Sequence, residues 1–111
     1  MLAESRLGVL ATIKSDGRPQ LSPVMPFYDR RADVIYVSTT EGRAKTANLR
    51  RDPRATLEVT SQDGWAWATV EGTATLAGPG TDPHGPEVQA LVRPRVLMVM
   101  TVENVYGAKI R

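Results

Sequence analysis

Hydroxyls, a glycine and two cations stand close together in Ser38-Thr39-Thr40-Glu41-Gly42-Arg43-Ala44-Lys45-Thr46. The apolar, β-branched run Val34-Ile35-Tyr36-Val37-Ser38 leads into them as a short buried strand. Thr39-Thr40-Glu41-Gly42 then has the chemistry of a helix start, where a Thr hydroxyl caps free N–H groups. Such a start presents unpaired N–H groups and a partial positive charge, which suits phosphate. Arg43 adds a planar fork that grips two oxygens, and Lys45 a mobile point charge. The plain alternative is a capped, solvent-facing helix with ordinary surface cations. Neither Gly-x-x-x-x-Gly-Lys-Ser/Thr nor Gly-x-Gly-x-x-Gly after a strand is present, so the segment is neither a Walker loop nor a Rossmann fingerprint.

The elements that must position this segment are mostly strands. Leu7 to Lys14 reads as one, and Asp16-Gly17 supplies the positive φ of a tight turn. Pro19 to Tyr28 resumes as a strand, and Pro23 and Pro26 place it at an edge or a bulge because they donate no ladder hydrogen bonds. A polar turn covers residues 29–33. Ala44, Ala47 and Leu49 give a modest apolar face to a helix at about Arg43–Arg51, which Pro53 stops. Ala55 to Thr60 alternates as a half-buried strand, and residues 61–64 form another turn. Trp65 to Leu76 is a long strand, with Gly72 marking a bulge or bend. A Gly/Pro-rich loop over residues 77–86 and a short helix over 87–92 precede strands at Arg95–Val102 and Val105–Ile110. Six or so strands and one prominent helix predict a mainly β protein.

Composition narrows the functions. A chain of 111 residues fits one domain, residues 1–111, with one modest core. No apolar run reaches the ~20 residues of a membrane span, and no signal pattern opens the chain, so a cytoplasmic address is expected. Zero cysteines exclude thiol chemistry and disulfides, and a single histidine, His84 in the Gly/Pro-rich loop, argues against a His-based metal site or triad. Residues 43–54 carry five cations and one anion, while the whole chain nets +2, so the positive charge is concentrated in one segment. That suits a small anionic ligand better than nucleic acid, whose binders spread basic surface over several elements. Trp65 and Trp67, at alternate positions, read as core or seam residues ahead of stacking platforms. Met98 and Met100 read as core. Tyr28, Tyr36 and Tyr106 read as buried aromatics with satisfied hydroxyls, and Glu71 shows no acid partner.

Four phrases together carry a family resemblance. They are Leu10-Ala11-Thr12-Ile13 with Asp16 to Val24, then Arg43 to Arg54 with its Asn-Leu-x-x-Asp-Pro ending, Asp63 to Ala74 with Val-Glu-Gly-Thr-Ala, and Val105-Tyr106-Gly107. In order and spacing they cover most of the chain. They resemble the pyridoxamine-5′-phosphate-oxidase-like superfamily, and within it most nearly the flavin/deazaflavin oxidoreductases that use coenzyme F420 (8-hydroxy-5-deazaflavin). The region between the loop and Arg95 is shorter here than is usual in that family.

The resemblance implies a split antiparallel β-barrel with one or two short helices, and a homodimer with cofactor clefts at the subunit interface. It implies that Arg43, Lys45 and Thr46 hold the cofactor phosphate or acidic tail, and that Ser38 and Thr39 lie near the ring and ribityl chain. Asn48 fits the cofactor motif, with capping or bracing the helix as its alternative. Gln20, Ser22, Pro23 and Val24 lie beside the ring, and Trp65 or Trp67 reaches across from the partner. The implied activity is hydride transfer between F420 and a small unsaturated organic substrate. The alternatives are an FMN-binding oxidase or flavin reductase and a non-enzymatic cofactor carrier. Neither nucleic acid nor membrane is an expected partner.

Overall fold

A computed structural model describes residues 7–40, 44–77 and 95–108. Their elements run in the order β1 (Gly8–Ile13), β2 (Pro19–Val24), β3 (Pro26–Asp29), β4 (Val34–Thr40), α1 (Ala44–Arg51), β5 (Arg54–Thr60), β6 (Trp67–Ala77), β7 (Arg95–Thr101) and β8 (Asn104–Ala108). All pairings are antiparallel. The hydrogen-bonded path is β2-β1-β5-β6-β7-β4-β3, with β8 beside β6.

The path has to curl. β2 and β3 lie at its two ends, yet only Met25 separates them in the chain. Seven strands laid flat would set these edges about 29 Å apart at the usual strand spacing. One residue spans only about 3.5 Å. The sheet therefore bends round until its edges meet at Met25, giving a split, half-closed barrel. The single strand expected over Pro19–Tyr28 is accordingly two. Pro23 and Pro26, lacking N–H donors, flank the break, and both halves are edge strands, as proline requires.

β6 makes the other corner. Its residues Trp67–Glu71 pair with β8 and Ala74–Ala77 with β7. Gly72 sits at the changeover, where a Cβ would lie 1.7 Å from the Thr101 carbonyl oxygen. The β5 register passes through Ala55↔Gly72 unbroken, so the glycine serves a close approach and not a bulge. The two hairpin turns form as expected, with Gly17 at φ 87° and Gly64 at φ 80°.

Alternation along the strands builds the core. Leu10, Ile35, Leu57, Val59, Val70, Met98 and Met100 point inward and are almost wholly buried. Leu49 of α1 closes over them. The expected loop and helix over residues 77–92, and His84 with them, fall almost entirely outside the described residues. Thr12, Thr46 and Asn48 are buried among the apolar groups. Each needs a polar partner, and the partners of Thr12 and Asn48 locate the candidate site.

Candidate functional site

β4 delivers the chain to α1. Its alternation turns Ile35, Val37 and Thr39 inward and leaves Val34, Tyr36 and Ser38 half-buried on the other face. The expected pair Ser38 and Thr39 therefore divides between two faces. In the first turn of α1, Lys45 is half-buried and Thr46 buried, and Ser38, Lys45 and Thr46 each have an interaction partner within the chain. Arg43 lies outside the described residues.

Asn48, one turn further, is buried and fully engaged. Its Nδ2 donates to Thr12 Oγ1 at 3.1 Å and to Gln20 Oε1 at 2.8 Å. Its Oδ1 accepts from Arg51 Nη2 at 3.0 Å, and that same nitrogen donates to the Ile13 carbonyl at 3.0 Å. One amide thus ties α1 to both strands of the first hairpin. This is the bracing role, and it commits both N–H donors of Asn48 within the chain. Thr12 and Arg51 belong to the cluster although the phrases they stand in carried no role for them in the site. The bonds from Asn48 to Thr12 and from Arg51 to Ile13 cross 36 and 38 residues, and contacts so distant leave no local pattern.

On β2, Gln20, Ser22 and Val24 share one face, and Pro23 turns the opposite way with Leu21. The structure therefore brings Gln20 against Asn48 of α1, keeps Ser22 on the same strand face and sets Pro23 on the outside. Trp65 is 79% exposed and Trp67 41%. Neither is a core residue, because Trp65 follows the turn at Gly64 and Trp67 is on the outer parity of β6. The register also separates them from Gln20. Gln20 pairs with Thr12 near the turn of the first hairpin, whereas Trp67 pairs with Thr60 at the far end of the sheet.

The tyrosines differ from one another. Tyr28 donates to Asp33 Oδ1 at 2.6 Å, and Tyr36 stacks on Phe27 with ring centroids 6.4 Å apart. Tyr106 is exposed, contrary to the buried reading, because β8 turns it to the outer face. Its hydroxyl donates to Glu71 Oε1 at 3.2 Å. That bond and the negative charge behind it push the phenol pKa up, so Tyr106 stays protonated beyond the usual range.

The other flank of α1 borders a cavity of about 420 Å³, lined by Leu49, Arg50, Pro53, Ala74, Thr75, Leu76, Ala77 and Val96. At 100° per helical residue, Leu49 and Arg50 face away from Asn48 and Arg51. Cavity and amide cluster are therefore separate features. Among the described residues no group of three or more His, Cys, Asp or Glu is placed to hold a metal ion, and no helix is long and apolar enough to cross a membrane.

Comparison with known proteins places this geometry. A family model described as Pyridoxamine 5′-phosphate oxidase matches residues 1–109. A solved structure described as F420 Reductase superposes with a TM-score of 0.79 at 22% identity, covering 95% of this chain and 92% of that one. General Stress Protein 26 from Bacillus anthracis str. Sterne gives 0.81 at 21% identity, with 99% and 89% covered. The conserved hypothetical protein Rv2991 from Mycobacterium tuberculosis gives 0.77 at 25% identity, with 95% and 78% covered. Likeness at this level demonstrates a shared fold.

Proposed function

Because the chain belongs to the pyridoxamine 5′-phosphate oxidase family, we propose that it is an oxidoreductase of the branch that uses coenzyme F420. In this reading it is a homodimer that binds the cofactor in a cleft between subunits and transfers a hydride to or from a small unsaturated organic substrate. Flavin-type cofactors and oxidoreductase chemistry are general to the family. One observation carries the reading furthest. α1 is the next element after β4 and is tied by Asn48 to Thr12 of β1 and Gln20 of β2, so the helix and the Gln20 end of the first hairpin are held together.

The residues present fit such a group. Lys45 and the helix N–H groups suit a phosphate or acidic tail, with Arg43 and Thr46 assigned beside them. Gln20 and Ser22 offer polar side chains on a half-buried strand face, suited to the polar edge of a ring system. Ser38 and Thr39 extend the strand that leads into α1. When bound, the cofactor supplies the hydride, and the chain supplies binding, orientation and electrostatics. That division agrees with the scarcity of acid–base candidates among these residues.

The second subunit has a physical argument of its own. The outer side of the first hairpin shows Leu7, Val9 and Leu21, with Met25 beyond, and Leu7, Leu21 and Met25 are each about two-thirds exposed. A second copy would cover this apolar stripe. Trp65, far from Gln20 within one chain, would then approach a cleft only from the partner.

FMN, another flavin-type cofactor, is the alternative. Purification from a host that makes no deazaflavin separates the two. A colourless protein that binds added F420 supports the proposal, and a yellow protein with flavin absorbance supports FMN. Tight binding without turnover on a panel of enones and quinones would identify a carrier.

A further inference from the structure

We propose that Arg51 and Asn48 act as a polarity relay that locks the Gln20 side-chain amide with its N–H edge outward, making Gln20 the hydrogen-bond donor to an acceptor on the bound cofactor's ring system. The inference rests on the flavin or deazaflavin reading above. It begins from a group with no choice of polarity. A guanidinium only donates, so the Asn48 atom facing Arg51 Nη2 at 3.0 Å is the oxygen Oδ1. The Asn48 nitrogen must then face the hairpin, where its two hydrogens go to Thr12 Oγ1 and Gln20 Oε1. Gln20 therefore spends its oxygen inward. Turning it over would set two N–H groups face to face beside a side chain only 6% exposed.

The Nε2 of Gln20 keeps two N–H donors. Among the described residues, Asn48 is the only hydrogen-bond partner of this side chain. Gln20 is half-buried beside Ser22 on the strand face next to α1. A donor held in one orientation by a buried neighbour selects ligands with an acceptor opposite it. FMN and F420 share such an edge, the pyrimidinedione, with two carbonyl oxygens and a ring nitrogen. Negative charge gathers there on reduction, so a fixed donor binds the reduced form more tightly and raises the reduction potential. Asn48 and Arg51 are positioning residues in this scheme, and Gln20 is the binding residue.

Asn48→Asp tests it. The carboxylate has the same shape but only accepts, so it takes bonds from Arg51 and from the Gln20 nitrogen, while the Thr12 hydroxyl rotates to donate. Every member keeps a partner, and Gln20 is turned over to present its oxygen. Side-chain amide hydrogen exchange, followed by NMR on the cofactor-free protein, reads the polarity directly. The expected result is slow exchange at the Asn48 amide and fast exchange at Gln20 in the unaltered protein, with the Gln20 amide protected in Asn48→Asp. A Gln20 amide already protected in the unaltered protein overturns the relay.

FMN and F420 are then titrated separately. Whichever binds should bind Asn48→Asp about tenfold more weakly or worse, as for a lost hydrogen bond replaced by two opposed acceptors. Its potential should fall, by about 30 mV for each tenfold change in the ratio of the two affinities. Unchanged affinity and potential, once exchange shows that Gln20 has turned, overturn the role toward the cofactor. An unaltered protein that binds neither molecule overturns the functional reading and that role together, while exchange still decides the relay. Should Asn48→Asp fail to fold, Gln20→Glu leaves the Asn48 bond in place and sets an acceptor where the donor edge lay. It should show the same loss, and unchanged binding overturns the role.

Discussion

Asp52 and Arg54 clasp each other around Pro53, and their chemistry gives a pH signature. The guanidinium donates to both carboxylate oxygens, at 3.0 and 2.7 Å, and the Arg54 backbone N–H adds a third bond at 3.2 Å. The side-chain bonds, then the backbone bond, hold the Asp52 carboxyl down at about 2. A carboxyl lowered on folding stabilises the fold above its unfolded pKa, and that contribution fades as pH falls from about 4 toward 2. NMR titration should place the Asp52 midpoint near 2, and Arg54→Ala should return it toward the ordinary range. For the proposed anion site, Lys45→Ala should weaken cofactor binding roughly 10- to 150-fold, the value of one charged hydrogen bond. Arg31→Ala, on the turn after β3, should change it little. A cofactor fragment without phosphate and acidic tail should lose far less, and isothermal titration of both ligands checks the difference. Residue types and spacing were enough to single out Lys45, and the family resemblance pointed to Gln20 and Asn48. Neither could show that Asn48 spends its donors on Thr12 and Gln20, because those contacts depend on how the helix lies over the hairpin.

Elements were legible where their signals are local. Asp16-Gly17 and Asp63-Gly64 mark turns that form where the sequence puts them, and Pro53 stops α1 as expected. The break at Met25 was hidden, since residues Leu21 to Tyr28 continue one apolar alternation and nothing in that run says that its halves join different neighbours. Gly72 was legible as a special position, but its reason lies in Thr101, which arrives from another strand. Gly72→Ala should force β6 and β7 apart and cost about 3 kcal/mol, at the upper end for overpacking. Urea unfolding measures this, and Ala66→Gly, just before β6, is the control with a small effect. Leu49 is the apolar anchor of α1, so Leu49→Ala should cost about 2–5 kcal/mol. It should also loosen the Asn48 amide in hydrogen exchange.

At the scale of the molecule, the apolar outer side of the first hairpin should make the protein a dimer at micromolar concentration by light scattering. Leu21→Glu, which puts a charge at the centre of that stripe, should shift it toward monomer while leaving the circular dichroism of the sheet unchanged. A monomer that still binds cofactor would remove the need for a second wall. The meeting of both sheet edges at Met25 bears on the order in which the chain assembles. β1–β2, β3–β4 and β5–β6 are neighbours in sequence and can zip early, whereas β1–β5 and β4–β7 join distant parts of the chain. Early on, the two halves on either side of Met25 are thus separate hairpins sharing a pivot. The slow event is their swing onto partners not yet in place, so refolding should take milliseconds to seconds, as for other sheets of high contact order. Stiffening that pivot would pre-aim the hairpins before the long-range pairings exist, and it should speed folding more than it slows unfolding.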